Sequence, residues 1–378
     1  MIILAIETSC DETAIAVVET KEKSKNLRFS AKGGSAYGGK ILSNIIASQI
    51  KIHAKWGGVV PNLAKREHIK NLPIVLNKAL KESKLKNPEK ETDFIAVTIG
   101  PGLEPALWTG INFAQDLAKK WKKPLIAVNH MEGHIVASLL NSPPKADPPM
   151  AEKIKFPAIA LLVSGGHTEL VLMSAKGGPA YGWNYKIIGQ TRDDAAGEAF
   201  DKVAKMLNLP YPGGPIVAKM ATKIKPQKSN LKINLPRPMI NSKNYDFSFS
   251  GLKTAVLYLL RDLKNSSLRV TRSTLRAAIC AEFQQAVIDV LISKTIRAAK
   301  EYKVKTIILG GGVAANEELR KQLQSSVSQM LKAELLTPEI KFTGDNAAMV
   351  AVAAYFRILK KQFTNPEKLK ADGNLTLK

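Results

Sequence analysis

The chain has 378 residues, 45% of them hydrophobic and 6% aromatic, with 56 Lys and Arg against 32 Asp and Glu and a formal charge of +24. That length suits one large or two ordinary domains with a full core, and the basic balance points to a polyanionic partner such as nucleic acid. Two cysteines exclude a disulfide framework, no apolar run has the length of a membrane span, and "MIILAIE" opens without the features of a leader, so a cytoplasmic protein with no membrane partner is expected.

Residues 2–7 read as a strand and "TAIAVVE" (13–19) as its hairpin partner. The turn between them, within "IETSCDET", gathers Thr8, Ser9, Asp11, Glu12 and Thr13. Backbone N–H groups in such a turn can hold phosphate, and its carboxylates can hold a cation or polarise a nucleophile. Residues 20–42, rich in Lys, Gly and Ser, read as a loop insertion. A helix is expected over 62–83, a strand over 94–99, a helix over 106–120 and a strand over 124–128.

"AVNHMEGHIVASLL" (127–140) follows, with Ile135, Val136, Leu139 and Leu140 at helical intervals and a helix start near Asn129. His130 and His134, two of five histidines in the chain, share one helix face and could bind one metal ion. A peptidase of the H-E-x-x-H type places its glutamate directly after the first histidine. Here Glu132 comes two residues after His130, about 200° around the helix, and is badly placed as a general base. Further ligands must come from elsewhere in the chain.

The proline-rich, charged stretch at 141–155 reads as a linker, separating a first domain (1–145 with 345–378) from a second (156–344). After it the programme restarts with a strand–turn–strand around "VSGGHTEL" (163–170), a strand at "YKIIGQ", and a helix at "AAGEAFDKVAKMLN". Asp193, Asp194 and Glu198 suit the positive end of that helix, and Asp201 could accept from ribose hydroxyls. Gly213 and Gly214 in "YPGGP" would let a sugar or base lie against backbone. Helices at 250–264 and 272–302 precede "ILGGGVAAN" (308–316), a strand opening through three glycines into a helix, which is a further nucleotide-contact candidate. None of these turns fits the dinucleotide or P-loop patterns. Asp345 stands just before a final helix, where it reads first as an N-cap and second as a metal ligand. Two units of one architecture, unlike in sequence, predict duplicated α/β domains.

Taken together, "GGVVPNLAKREHI", "TIGPGLEPAL", "NHMEGHIVASLL", "LLVSGGHTELVL", "DDAAGEAFDKVAKMLNLPYPGGP", "DFSFSGLKTAV", "GGGVAANEELR" and "DNAAMVA" closely resemble the tRNA N6-adenosine threonylcarbamoyltransferase family, bacterial type, formerly called O-sialoglycoprotein endopeptidase. The resemblance implies the two-domain fold of actin, sugar kinases and heat-shock ATPases, built from duplicated RNase H-like domains with ligand in the interdomain cleft. It implies transfer of threonylcarbamoyl from threonylcarbamoyl-AMP to N6 of adenosine 37 in tRNAs reading codons that begin with A. His130, His134 and Asp345 match its metal ligands, for Fe(2+) ahead of Zn(2+), which overrides the cap reading of Asp345. Leu162, Val163, Ser164, Gly165, Gly166, Asp201, Gly214 and Asn316 match its adenylate-binding positions. Asp11, Glu12 and Glu132 match acidic positions important for activity, with Asp11 or Glu12 taking the amine proton. The implied partners are tRNA, a small paralogous subunit and an ATPase. Gly344 departs from the family, which usually has threonine there. A metallopeptidase and an ATPase or sugar kinase are the competing readings; the first lacks a placed base and the second leaves the histidine pair idle.

Overall fold

The computed structural model describes residues 1–20, 39–140, 154–175, 183–223, 233–264 and 271–377. Most of the expected insertion at 20–42 and of the expected linker at 141–155 lies outside the described residues. By its internal contacts the chain divides into two units. Unit 1 comprises Met1–Phe156, Met173–Lys186 and Pro338–Lys378, and unit 2 comprises Pro157–Leu172 and Ile187–Thr337.

The sheet of unit 1 is built from β1 (Ile2–Glu7), β2 (Glu12–Thr20), β3 (Gly39–Ser48), β4 (Phe94–Gly100) and β5 (Leu125–Asn129) in the order β3-β2-β1-β4-β5. β1 pairs antiparallel with β2, Ile6 opposite Ile15, and parallel with β4, Ile6 opposite Val97. Both faces of β1 are covered, which is why it reads as an unbroken apolar run. Leu4 and Ile6 pack with Leu72 and Val75 of helix α1 (Pro61–Ser83) and Leu107 and Ile111 of α2 (Glu104–Trp121). β1 also packs against a helix near the C-terminus, Ala347–Leu359. The helix expected after β5 is α3 (His130–Ala137).

The third strand, β3, falls partly in the stretch read as a loop. Among the described residues it is an edge strand paired to β2 alone and half-buried along its length, so its sequence, "GKILSNIIAS", lacks a sustained apolar signal. A C-terminal segment closes the other side of the unit. Thr364 bridges to Leu125, Asp372 N–H donates to Ile99 O at 2.9 Å, and Gly102 N–H donates to Gly373 O at 3.2 Å.

The second sheet contains β6 (Ala158–Val163), β7 (Thr168–Ala175), β8 (Trp183–Gln190), β9 (Thr306–Gly310) and β10 (Glu334–Leu336), ordered β10-β9-β6-β7-β8. Read from the other edge this is the strand order of the first sheet, so the duplication lies in topology. Helices α4 (Ala196–Met206), α5 (Gly213–Ala221), α6 (Ser250–Lys264), α7 (Arg272–Glu301) and α8 (Glu317–Met330) belong to unit 2. Phe200, Phe247, Phe249, Phe283 and Leu291 share its core with Leu161 and Val163 of β6. The last helix, α9 (Ala347–Leu359), returns the chain to unit 1.

Lys294 of α7 is fully buried, its ammonium donating to Ser242 Oγ at 2.8 Å and to Asn244 O at 3.2 Å. Burial, reinforced by the positive charge of Arg297, lowers its pKa from near 10.5 to about 8. The unfolded chain therefore holds this proton more tightly than the folded one, so its contribution to stability rises as pH climbs from about 8 to about 10.5 and is most unfavourable below that window. Lys294→Met should raise the stability of unit 2 at pH 7 by about 1–2 kcal/mol, at ~1.4 kcal/mol per pH unit less the lost hydrogen bonds. The gain should shrink toward pH 10. Thermal melts at the two pH values check it, and an equal or lower melting temperature at pH 7 would contradict it.

Candidate metal centre and the cavity of unit 2

Asn129 ends β5 and caps α3, its Oδ1 accepting from Met131 N at 2.8 Å and Glu132 N at 3.4 Å. Four-residue spacing then stacks the imidazoles of His130 and His134 edge to face, with centroids 4.6 Å apart. Asp345 reaches this face from the segment before α9, its Oδ1 lying 3.4 Å from His130 Nε2 and 3.2 Å from His134 Nε2. An ion with bonds of about 2.1 Å spaces neighbouring ligand atoms by about 3.0–3.4 Å, which is the spacing of Asp345 from each imidazole, and all three donors lie within 4.8 Å of one another. His134 is almost fully buried, yet neither of its ring nitrogens makes a hydrogen bond with a described residue. A buried polar group without a partner is costly, and a bound cation supplies one. The donor set of two imidazoles and a carboxylate suits iron or zinc.

Asp345 is free for this role because its neighbour does the capping. Asn346 Oδ1 accepts from Met349 N at 3.1 Å at the start of α9. The cap reading of Asp345 is thus corrected: two adjacent residues could cap, and the structure uses the second.

Behind the pair, His130 Nδ1 lies 3.1 Å from Glu7 Oε2 and 3.2 Å from Ser9 Oγ. Glu7 also accepts from Thr98 Oγ1 and from Ser9 N, each at 2.5 Å. A carboxylate on Nδ1 orients the ring and leaves Nε2 to the metal, the usual outer partner of a ligating histidine. The sequence reading missed Glu7. Its signal was a carboxylate ending an otherwise apolar strand whose neighbours are all buried.

Burial opposes every charge here, but the opposite charges prevail. Asp345 and Glu7 are held below the usual carboxylate range by His130, whose own pKa they raise. In the turn between β1 and β2, burial pushes the Glu12 carboxyl up to about 9, with help from the charges of Asp11 and Asp345. Several acids therefore sense one another around the histidines, a field that favours a cation. Glu12 Oε1 accepts from Ser48 Oγ at 3.0 Å, and Asp11 is buried. Glu132 is not brought to the histidine face. Its Oε2 accepts from Arg357 Nε at 2.8 Å and Nη2 at 2.6 Å, tying α3 to α9.

Unit 2 contains a cavity of about 1110 Å³, lined among others by Gly165, Asp201, Gly214 and Asn316. The first turns of three helices contribute to its wall through Gly197 of α4, Gly214 and Pro215 of α5, and Glu317 and Glu318 of α8. Helix N-termini present positive dipole ends, which suit phosphate, while several of their first N–H groups are already donated: Gly197 N to Ser164 O at 3.1 Å, Gly213 N to Asp201 and Leu319 N to Asn316. The run Leu162–Gly166 is divided. Gly165 lines the cavity, while Leu162 and Val163 are fully buried strand residues whose side chains belong to the core. The Ser164 hydroxyl accepts from His167 N at 3.0 Å and closes the turn, and at Gly166 an added Cβ would meet nothing within 4 Å.

Asp201 and Asn316 carry structural duties at the cavity wall. Asp201 Oδ1 accepts from Gly213 N at 2.6 Å; Asn316 caps α8 through Leu319 N at 3.0 Å and donates to Gln284 Oε1 at 2.8 Å. The two glycines of "YPGGP" separate in role. A Cβ on Gly213 would fall 2.5 Å from Ala204 Cβ, so that glycine lets α4 and α5 meet, whereas a Cβ on Gly214 would have its nearest neighbour at 4.0 Å. Asp193 serves another element than expected, and Asp194 joins α4 to α6. Asp193 accepts from Phe249 N and Ser250 N at the start of α6, and Asp194 pairs with Lys202 and Lys253.

Among the described residues no helix is long and apolar enough to cross a membrane. In fold the chain resembles a HypF crystal structure from T. kodakarensis, with a TM-score of 0.52 at 15% identity over 97% of this chain and 49% of that one. A full-length HypF in phosphate- and nucleotide-bound form gives a TM-score of 0.54 at 12% identity over 96% and 47%. These likenesses support the duplicated actin-like α/β fold. In sequence it is 44% identical to a tRNA N6-adenosine threonylcarbamoyltransferase of Thermosipho africanus over the full length of both chains. It is also 44% identical to one of Bacillus thuringiensis (strain Al Hakam) over 93% of this chain and 90% of that one. The family profile for tRNA N6-adenosine threonylcarbamoyltransferase matches residues 40–352, and the chain belongs to this family of tRNA-modifying transferases.

Proposed function

We propose that the chain transfers threonylcarbamoyl from threonylcarbamoyl-AMP to N6 of adenosine 37 in tRNAs reading codons that begin with A, releasing AMP. One observation carries the reading: a chain of this family holds both a His130–His134–Asp345 metal-ligand group and a cavity walled by helix N-termini. A peptidase would need a base on the histidine face, and Glu132 is committed to Arg357.

In this reading the backbone of Leu162, Val163, Ser164, Gly165 and Gly166, with Asp201, Gly214 and Asn316, holds the adenylate. His130, His134 and Asp345 hold one divalent ion, iron ahead of zinc, with Glu7 orienting His130. When bound, the ion supplies Lewis-acid polarisation of a carbonyl. The adenosine N6 attacks the carbamoyl carbon and AMP leaves. An exocyclic amine is a weak nucleophile, so positioning carries much of the acceleration. Asp11 or Glu12 takes the amine proton, Glu12 only in its ionised form, which a cation held by the nearby ligand group would favour. Glu132 acts at a distance, through Arg357, on the spacing of α3 and α9. The excess of Lys and Arg docks tRNA, and a small paralogous subunit and an ATPase complete a cytoplasmic assembly.

His134→Ala removes a ligand, and metal analysis of the purified variant should fall from about one ion per chain toward zero, with transfer falling alongside. Full occupancy in that variant would remove His134 from the site.

Gly214→Val tests the cavity without touching the metal group. The open space at Gly214 lets the variant fold, and the new side chain should weaken adenylate binding at least ~10-fold, about 1.4 kcal/mol. Metal content should match wild type. Calorimetry with adenine nucleotide checks it, and unchanged affinity would empty the cavity of this role.

Affinity for tRNA should fall steeply with salt. A log–log slope of about −5 is expected if ~6 phosphates are neutralised. A flat dependence would leave the lysines as solvating charge.

A further inference from the structure

Beside the acidic turn of unit 1 runs a buried polar chain that the transfer reading leaves unused. His53 and His68 are fully buried. Val60 N–H donates to His53 Nδ1 at 3.3 Å, so the proton of the neutral ring sits on Nε2, which donates to Gln49 Oε1 at 3.0 Å. That orientation turns Gln49 Nε2 toward His68 Nδ1 and the Ala64 carbonyl, each at 3.4 Å. Thr13 Oγ1 also donates to His68 Nδ1, at 2.8 Å. With Nδ1 accepting, the proton of His68 is on Nε2, which donates to the carbonyl of Cys10 at 2.9 Å. The tautomers are assigned from the network, and a carbonyl that can only accept fixes its direction. Burial lowers the pKa of His68 and keeps the ring neutral, as this pattern requires.

The carbonyl at the end of this chain is the middle one of three. Ser9 O accepts from Leu103 N at 2.8 Å and Asp11 O from Gln49 N at 3.0 Å. Three consecutive carbonyls of the turn are thus held from three segments remote in sequence, the middle one by a side chain. We propose that His68 is a positioning residue of the transfer reaction, its Nε2–H pinning the Cys10 carbonyl and so the backbone that aims Asp11 and Glu12. The inference rests on the transferase reading. A displacement of about 1 Å at a reacting group can cost ~100-fold in rate, so a pin on the backbone between Ser9 and Asp11 reaches the chemistry without touching substrate.

The test compares His68→Gln with His68→Asn. The Gln amide nitrogen can stand where Nε2 stood and donate to Cys10 O, whereas the Asn amide stands where Nδ1 stood and falls short of it. His68→Gln should retain transfer within ~3-fold of wild type, and His68→Asn should lose ~10–100-fold in kcat with KM for tRNA unchanged. Melting temperature and metal content should agree between the two variants. Amide hydrogen exchange of residues 8–13 should quicken in His68→Asn and stay near wild type in His68→Gln. Equal retention or equal loss of transfer in the two variants would overturn the proposal, as would unchanged exchange in His68→Asn. If wild-type protein assayed together with the partner subunit and ATPase transfers nothing, the transferase reading falls, and the exchange measurement still decides whether His68 holds the turn.

Discussion

Unit 1 is organised around an electrostatic demand for positive charge among His130, His134 and Asp345. Burial alone would favour the neutral forms of Asp345 and Glu7, and His130 between them is the main group that holds both below the usual carboxylate range, with His134 helping Asp345 and Ser9 helping Glu7. A divalent ion answers the same demand more fully, and it would also take the lone pair of His134 Nε2, which makes no hydrogen bond with a described residue. Much of the surrounding structure holds these groups in place. Asn129 starts the helix of the two histidines, Asn346 starts the helix after Asp345, and the Glu132–Arg357 pair ties those helices together. Each contact fixes the backbone behind a ligand, which is how side chains from distant parts of the sequence reach ion-binding separations.

Unit 2 solves a different problem, bringing helix ends up to a cavity wall without bulk. Its glycines are the means. Gly311, at φ +89°, passes so close to Val163 that a Cβ would fall 2.3 Å from the Val163 carbonyl oxygen, and Gly197 approaches Ser164 O almost as closely. Asp201 and Asn316 economise on polar groups by holding helix starts while lining the same wall. Loss of either would disturb local backbone as well as any bound molecule.

The elements that were legible in the sequence carry strong local signals. β1, β2 and β4 are buried on both faces and read as apolar runs; the histidine helix shows its period and its Asn129 cap together. The fold class and the family were legible from motifs in their order along the chain. What could not be read depends on neighbours remote in sequence. β3 is an edge strand whose residues are mostly intermediate in burial. Asp345 and Asn346 are equivalent cap candidates until α9 is placed against α3. Gly213 and Gly214 are the same residue twice, and the position of Ala204 gives one a packing role and the other an open face. Leu162 and Val163 belong to a matching motif, yet strand burial takes their side chains into the core. Glu7 looked like a strand end because His130 is 123 positions away.

The order of the chain along unit 1 has a consequence for its biosynthesis. Unit 2 is inserted, in sequence, between the histidines and the carboxylate that joins them. On a ribosome that adds about 5–20 residues per second, His130 and His134 emerge well over ten seconds ahead of Asp345 at the slower rate. The segment that stitches Asp372 to Ile99 and Gly373 to Gly102 follows later still. A nascent chain can therefore complete the fold of its interior unit while its ion site holds only two of three ligands. A cation that needed all three of these groups would bind only after Asp345 has emerged.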